Sequence, residues 1–287
     1  MFKELGYTSA VNAIIEGNRP GKIYVDDMEF PKTAFAWAKP SEYYLVGCPN
    51  NNEFNFALHK LITNAINPET VNHKIRFSVL HCSEDVWDKK INVILKNQHY
   101  RKSYRWLFTF KQLKVNCKRR IPKGFHIECI NEEFLKRTSL KNLNTVADYI
   151  IFKWNSINDF LQKGFGFCLL HGNSIASWCI SGNHVEGKCE ITVRTHEKYQ
   201  NKGCATLIAS AFVEHCISKN LTPSWHCGYD NLASIAVAEK VGFEKVLKYP
   251  VYIWTPTTKP DLFWRMKNKL KKLVPTLPSP RFKNNQL

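Results

Sequence analysis

The spacing of apolar residues switches along the chain between a period of two and a period near three and a half, and each switch marks an element. Short alternating or apolar runs at Lys22–Asp26, Thr33–Ala38, Tyr43–Gly47, Lys74–Leu80 and Arg105–Phe110 predict strands. Between them, Phe54, Leu58, Leu61, Ile62 and Ala65 form a stripe that predicts a helix from Asn51 to Ile66. A second stripe of Val86, Trp87, Ile91, Ile94 and Leu95 predicts a helix within Glu84–Asn97. The polar, basic stretch Lys111–Arg120, closed by Pro122 and Gly124, reads as a connection.

The pattern then begins again. Strands are predicted at Phe125–Cys129, Glu190–Thr195, Ser224–Cys227 and Phe243–Trp254, with a hairpin of Phe165–His171 and Ile175–Ser181 turning at Gly172-Asn173. Helices are predicted at Asn131–Lys136, Tyr149–Lys163, Cys204–Lys219 and Asn231–Val241, the last ended by Gly242 as a left-handed cap. The two halves echo each other coarsely, although no sequence letters match between them. The fold class expected is α/β with a mixed sheet, and the domains are 1–115, 121–255 and a tail, 256–287.

Composition narrows the class. Of the 287 residues, 44% are hydrophobic, enough to build a core and to argue against global disorder. No apolar run is long enough for a membrane span, and the start of the chain has no apolar leader, so the expected location is cytoplasmic. The ten cysteines are scattered through apolar runs with no Cys-x-x-Cys pair, which points to reduced core thiols and no metal site. The formal charge of +17 is read over the body as Lys- and Asn-rich composition rather than as a nucleic-acid surface. The tail is different. From residue 256 it carries eight Lys/Arg and one Asp, with Leu262, Phe263, Met266, Leu270 and Leu273 on one stripe. Either it docks on the body with its charges in solvent, which is the favoured reading, or it makes weak contact with an anionic membrane face or, less expected, nucleic acid.

One stretch carries chemistry. A strand ends at Thr195, a polar loop follows, and a helix opens at once after Gln200-Asn201-Lys202-Gly203-Cys204-Ala205. The first N–H groups of a helix have no partners within it and lie at the positive end of its dipole, so they suit a phosphate. Gly203 lets backbone approach the anion, small Ala205 keeps the first turn open, and Lys202 adds charge at the rim. An ordinary strand-to-helix turn has the same outline.

The context resembles the GNAT superfamily of acyl-CoA-dependent N-acetyltransferases. Its Arg/Gln-x-x-Gly-x-Gly/Ala signature is filled by Gln200, Gly203 and Ala205. Its Asn-x-x-Ser/Ala … Gly-Phe element is similar to Asn231-Leu232-Ala233-Ser234 followed by Gly242-Phe243. The resemblance covers about Ile121 to Trp254 and implies a GNAT fold there. Residues Ile23–Gly47 and Ser224-Trp225-His226-Cys227 are similar to a bacterial subfamily with an extra N-terminal half, which includes antibiotic-resistance acetyltransferases. In that extra half the matching place reads Cys48-Pro49-Asn50-Asn51-Asn52-Glu53, where Pro49 removes a donor and Glu53 repels phosphate. It is therefore read as a degenerate GNAT-like unit that shapes the substrate cleft.

The resemblance implies acetyl-CoA as co-substrate, held by Val193, Thr195, Gln200, Asn201, Lys202, Gly203, Cys204, Ala205, Thr206, Asn231 and Ser234. It implies acetyl transfer to a primary amine without a covalent enzyme intermediate, the carbonyl being polarised by a backbone N–H of the strand ending at Thr195. Two residues are candidates for the base that takes the ammonium proton, Glu190 and His226. Glu190 can equally be a surface carboxylate paired with Lys188 or Arg194, and His226 a packed strand histidine. The family's usual acid, a Tyr in the helix after Asn231, is replaced by Ala238, leaving Tyr229 or water in that role. The acceptor is expected to be a small molecule. The alternatives are a protein or peptide amine, or an acyl-CoA sensor without turnover.

Overall fold

The computed structural model describes residues 2–257 except Glu84, Asn116, Lys118, Arg119 and Glu186. In chain order the elements are α1 (Ala10–Ile15), β1 (Gly21–Val25), β2 (Thr33–Ala38), β3 (Glu42–Gly47), α2 (Asn52–Leu61), α3 (Asn67–Asn72), β4 (Ser78–Cys82), α4 (Asp88–Ile94), β5 (Tyr100–Phe110), β6 (Phe125–Cys129), α5 (Glu132–Leu135), α6 (Leu143–Lys153) and α7 (Ile157–Lys163). There follow β7 (Gly166–His171), β8 (Ser174–Val185), β9 (Lys188–Thr195), α8 (Cys204–Ser218), β10 (Thr222–Gly228), α9 (Leu232–Val241) and β11 (Phe243–Trp254). The basic stripe of the tail lies outside the described residues.

These elements gather into two compact units that interleave along the chain. One holds residues 2–6, Gly21–Ser103 and 250–257; the other holds Tyr7–Pro20 and Tyr104–Tyr249. The boundaries differ from consecutive segments 1–115 and 121–255. Residues 7–20 join the second unit, where α1 packs on β8, and Tyr252 and Trp254 are buried in the core of the first.

In the first unit, β1, β2 and β3 form an antiparallel meander, with Ile23 opposite Ala36 and Phe35 opposite Leu45. β3 and β4 are parallel, so the chain must cross over between them, and α2 and α3 make that crossing. The helix predicted to end at Ile66 continues to Asn72 through a π-helical turn, Ile62–Ile66. Pro68 has no N–H to return to the preceding turn, and the wider π turn takes up the mismatch. Phe35, Trp37, Leu45, Leu58, Ile62, Leu80, Trp87 and Trp254 fill the core.

In the second unit the strand order is β5-β10-β9-β8-β7-β6. One face of its sheet carries α8 and α9, with Leu169, Cys179, Ile191, Phe212 and Trp225 in that layer. Cys168, Leu170, Trp178 and Ile180, alternate residues of the same strands, pack instead with α6 and α7. The single helix expected over Tyr149–Lys163 is two. α6 starts earlier, at Leu143, and stops at Lys153, and Ser156 then caps α7 by accepting from the Asp159 N–H at 3.0 Å.

Gly242 ends α9 with a positive φ, as expected, and a second constraint also requires glycine there. Its φ is 122°, and the segment after β5 passes so close that a Cβ there would lie 1.8 Å from the Gln112 carbonyl oxygen. The Lys111 N–H donates to Gly242 O and the Lys114 N–H to Val241 O, both at 3.1 Å. Gly242→Ala is expected to destabilise the protein by about 2–5 kcal/mol, from backbone strain plus overpacking. A lowered denaturant midpoint at unchanged slope is the readout; a wild-type midpoint would show that residues 111–114 give way freely.

Candidate active site

The site begins where two parallel strands part. β9 and β10 pair at Lys188 with Thr222, Cys189 with Pro223 and Glu190 with Ser224. Beyond Glu190, the ladder of β9 runs on with β8, through Val193 with Cys179 and Thr195 with Ser177. The ladder of β10 runs on with β5, through Trp225 with Phe108 and Cys227 with Trp106. Among the described residues no ladder joins Ile191–Thr195 to Trp225–Gly228. Their facing edges are left with backbone donors and acceptors to offer a ligand.

A cavity of about 550 Å³ lies at this gap. Val193, Arg194 and Thr195 line it from β9 and Trp225 from β10. Tyr199, Gln200, Asn201, Gly203, Cys204, Ala205 and Thr206 line it from the loop and the start of α8, and Asn231, Ala233, Ser234, Ala236, Val237 and Lys240 from α9. Of the residues expected to hold the co-substrate, Lys202 alone is outside this lining; it borders a neighbouring cavity.

The loop is shaped for an anion. Asn201 and Gly203 are both left-handed, with φ of 59° and 78°, and a Cβ on Gly203 would meet nothing within 4 Å. Glycine is thus favoured there by its dihedral angle rather than by crowding. Gly203 is the N-cap of the fifteen-residue α8, no side chain caps it, and the first turn has no acid. The leading N–H groups are thereby left for a ligand. Cys204 sits at this positive helix end, a place that often activates a thiol. Here burial pushes the thiol up, outweighing the opposing pull of its own backbone N–H and of Lys202. Cys204 is buried and packs in the α8 layer.

The start of α9 is fixed by two bonds. Asn231 Oδ1 accepts from the Ser234 N–H at 3.1 Å, and Ser234 Oγ accepts from Trp225 Nε1 at 3.0 Å. Trp225, Lys240 and Val237 were not among the residues expected to line the groove. Trp225 alternates along β10 onto the α8 layer, and the other two follow Ala233 by one helical turn or two.

Glu190 and His226 are absent from the groove lining. Cys189, Ile191, Trp225 and Cys227 face the α8 layer, and strand alternation puts Glu190 and His226 on the opposite face. Each is held by a chain of contacts that starts in residues 7–20. Arg19, 2% exposed, donates from Nη1 to Asn183 Oδ1 at 2.9 Å, and Asn183 Nδ2 donates to Glu190 Oε2. His226 Nδ1 bonds the Tyr249 hydroxyl at 2.9 Å, and Tyr249 stacks on Tyr7 with ring centroids 4.2 Å apart. Arg194 bonds and overlies Tyr149. The sequence gives no local signal for these supports, because Arg19 and Asn183 lie 164 residues apart.

Ala238 is fully buried. Tyr229 is 42% exposed, its ring edge-on to Tyr104, and it is not part of the groove lining. Among the described residues no group of three or more His, Cys, Asp or Glu is placed to hold a metal, and no helix is long and apolar enough to cross a membrane.

Known proteins resemble this chain in sequence and in fold. A sequence model of the GNAT acetyltransferase family matches residues 1–252. The uncharacterized N-acetyltransferase YdfB of Bacillus subtilis (strain 168) is 31% identical over 252 residues, which is 88% of this chain and 92% of that protein. Among solved structures, a GCN5-related N-acetyltransferase-like protein from Streptococcus suis 89/1591 superposes with a TM-score of 0.66 at 23% identity, covering 86% of this chain and 93% of its own. A GCN5-related N-acetyltransferase from Kribbella flavida gives 0.51 at 10% identity, with 88% and 95% covered. A tandem GNAT protein from the clavulanic acid biosynthesis pathway gives 0.50 at 10% identity, with 88% of each chain covered. These likenesses bear on the fold, and the family match extends across both compact units. The chain belongs to the GNAT acetyltransferase family, enzymes that transfer an acyl group from acetyl-CoA.

Proposed function

We propose that the protein acetylates a primary amine of a small molecule, with acetyl-CoA held in the groove between β9, α8 and α9. The observation that carries this reading is the parting of β9 from β10 beside a helix start left uncapped at Gly203. Bound acetyl-CoA supplies the acetyl thioester. The first N–H groups of α8 bind its pyrophosphate, and the free edge of Val193–Thr195 offers backbone groups to its pantetheine arm and carbonyl. Glu190, held by Asn183, takes the proton of the acceptor ammonium, with His226 as the alternative base.

Ala238 favours one second reading, a module that binds acyl-CoA without turnover, because no phenol stands there to protonate a leaving thiolate. Incubation with acetyl-CoA and a panel of small amines and lysine peptides separates the readings. Free CoA thiol and a mass gain on a small amine support the proposal. Gain on peptides alone moves the acceptor to protein, and binding without product supports the sensor.

The first unit is proposed to be a degenerate GNAT-like partner that holds no co-substrate. At its corresponding helix start, Asn51 Oδ1 already accepts from the Phe54 N–H at 3.0 Å, and Glu53 sits in the first turn. A calorimetric titration of the full chain is expected to show one acetyl-CoA site. Two independent sites per chain would refute the degenerate reading.

A further inference from the structure

A second cavity, of about 500 Å³, adjoins the groove across the start of α8. The two share Gly203, Thr206 and Lys240 in their walls. Among the described residues the second is bordered by four cations, Lys114 and Arg120 from the segment after β5, Lys202 from the loop and Lys240 from α9, and by no Asp or Glu. Among the described residues none of the four takes part in an ion pair. Like charges gathered round one small space repel each other, and an anion between them removes that cost.

We propose that this cavity binds the ribose 3′-phosphate of acetyl-CoA. The inference rests on the reading of the groove as the acetyl-CoA site, and it assigns that ligand's second anionic group. The helix start that divides the two cavities takes the pyrophosphate, so the nucleotide end of the same ligand continues into the second. A phosphate monoester carries close to two charges at neutral pH and three acceptor oxygens. Arg120 offers it a planar fork, and the three lysines offer point charges. The 3′-phosphate takes no part in acyl transfer. Its recognition therefore selects CoA over dephospho-CoA, a choice that the first N–H groups of α8, which meet only the pyrophosphate, have no means of making.

The test is calorimetry on the full chain with CoA and with 3′-dephospho-CoA. Wild-type protein is expected to bind CoA about tenfold or more tightly than dephospho-CoA, the range of one or more charge-assisted hydrogen bonds. In Lys114→Gln/Arg120→Gln, which leaves the groove untouched, that ratio is expected to shrink toward one by a loss on the CoA side alone. Competition in the wild type needs no variant: adenosine 3′,5′-bisphosphate should displace CoA more strongly than adenosine 5′-monophosphate. Equal affinity for the two CoA forms overturns the proposal and leaves the groove reading intact. A preference that persists in the folded double variant overturns the assignment to this cavity. Failure of both forms to bind overturns the groove reading and this proposal with it.

Discussion

Gly203→Asp is expected to lower acetyl-CoA affinity by about a hundred- to a thousand-fold while the protein stays folded. Gly203 is left-handed, and a Cβ there meets no neighbour within 4 Å. Aspartate is among the few residues that visit this backbone region, so the strain is small. Its carboxylate, however, stands at the N-cap of α8, which no side chain now occupies. There it accepts from the N–H groups that are proposed to bind the pyrophosphate, and it opposes the phosphate charge. Two unit charges about 4 Å apart near a protein surface interact by about 4 kcal/mol, and each charged hydrogen bond lost adds about 1.5–3 kcal/mol. Partial screening by solvent brings the sum down to two or three orders of magnitude in affinity. Because Asp is a good helix cap, the melting temperature should hold or rise. That combination separates a blocked anion site from a damaged fold. Unchanged affinity in the folded variant would remove the loop from the co-substrate site.

The second large effect is expected at Glu190. Replacement by Gln keeps the size and leaves a carbonyl to accept from Asn183 Nδ2, so the support from Arg19 survives. What is lost is basicity, and loss of a general base typically costs about a hundred- to ten-thousand-fold in rate. The fall should appear in turnover, with acetyl-CoA affinity nearly unchanged, because Glu190 stands on the face away from α8. His226→Gln is the control, since it spares this network and disturbs only the bond to Tyr249. A normal rate in Glu190→Gln with a depressed rate in His226→Gln transfers the role to His226. Normal rates in both would mean that solvent takes the proton.

Strands such as β10 were legible in the sequence because their burial follows local alternation, with Trp225 and Cys227 buried and their neighbours less so. Helix limits were less so. Ser156 lies within an unbroken apolar stripe, and only its hydrogen bond to Asp159 reveals that one helix stops and another starts. α1, six residues long, is too short to show a period. The strand end, left-handed glycine and helix start of the proposed co-substrate loop could be read because they are neighbours in sequence. The supports of Glu190 and His226 could not, since Arg19 and Tyr7 reach them from the far end of the chain, where no spacing rule connects them. The aromatics Trp37, Tyr43, Tyr44 and Trp178 are all buried, which their residue types alone do not reveal.

The interleaving of the two units sets an order of events during synthesis. β4 pairs with Val251–Trp254 of β11, and Trp254 is buried in the same core as Phe35 and Leu80. While the ribosome is still adding the second unit, the first has emerged without its last strand. β4 then shows an unpaired edge, the feature through which nascent chains associate wrongly. Residues 7–20 wait in turn for β8 to be made. Neither unit can therefore be completed before the other is nearly written.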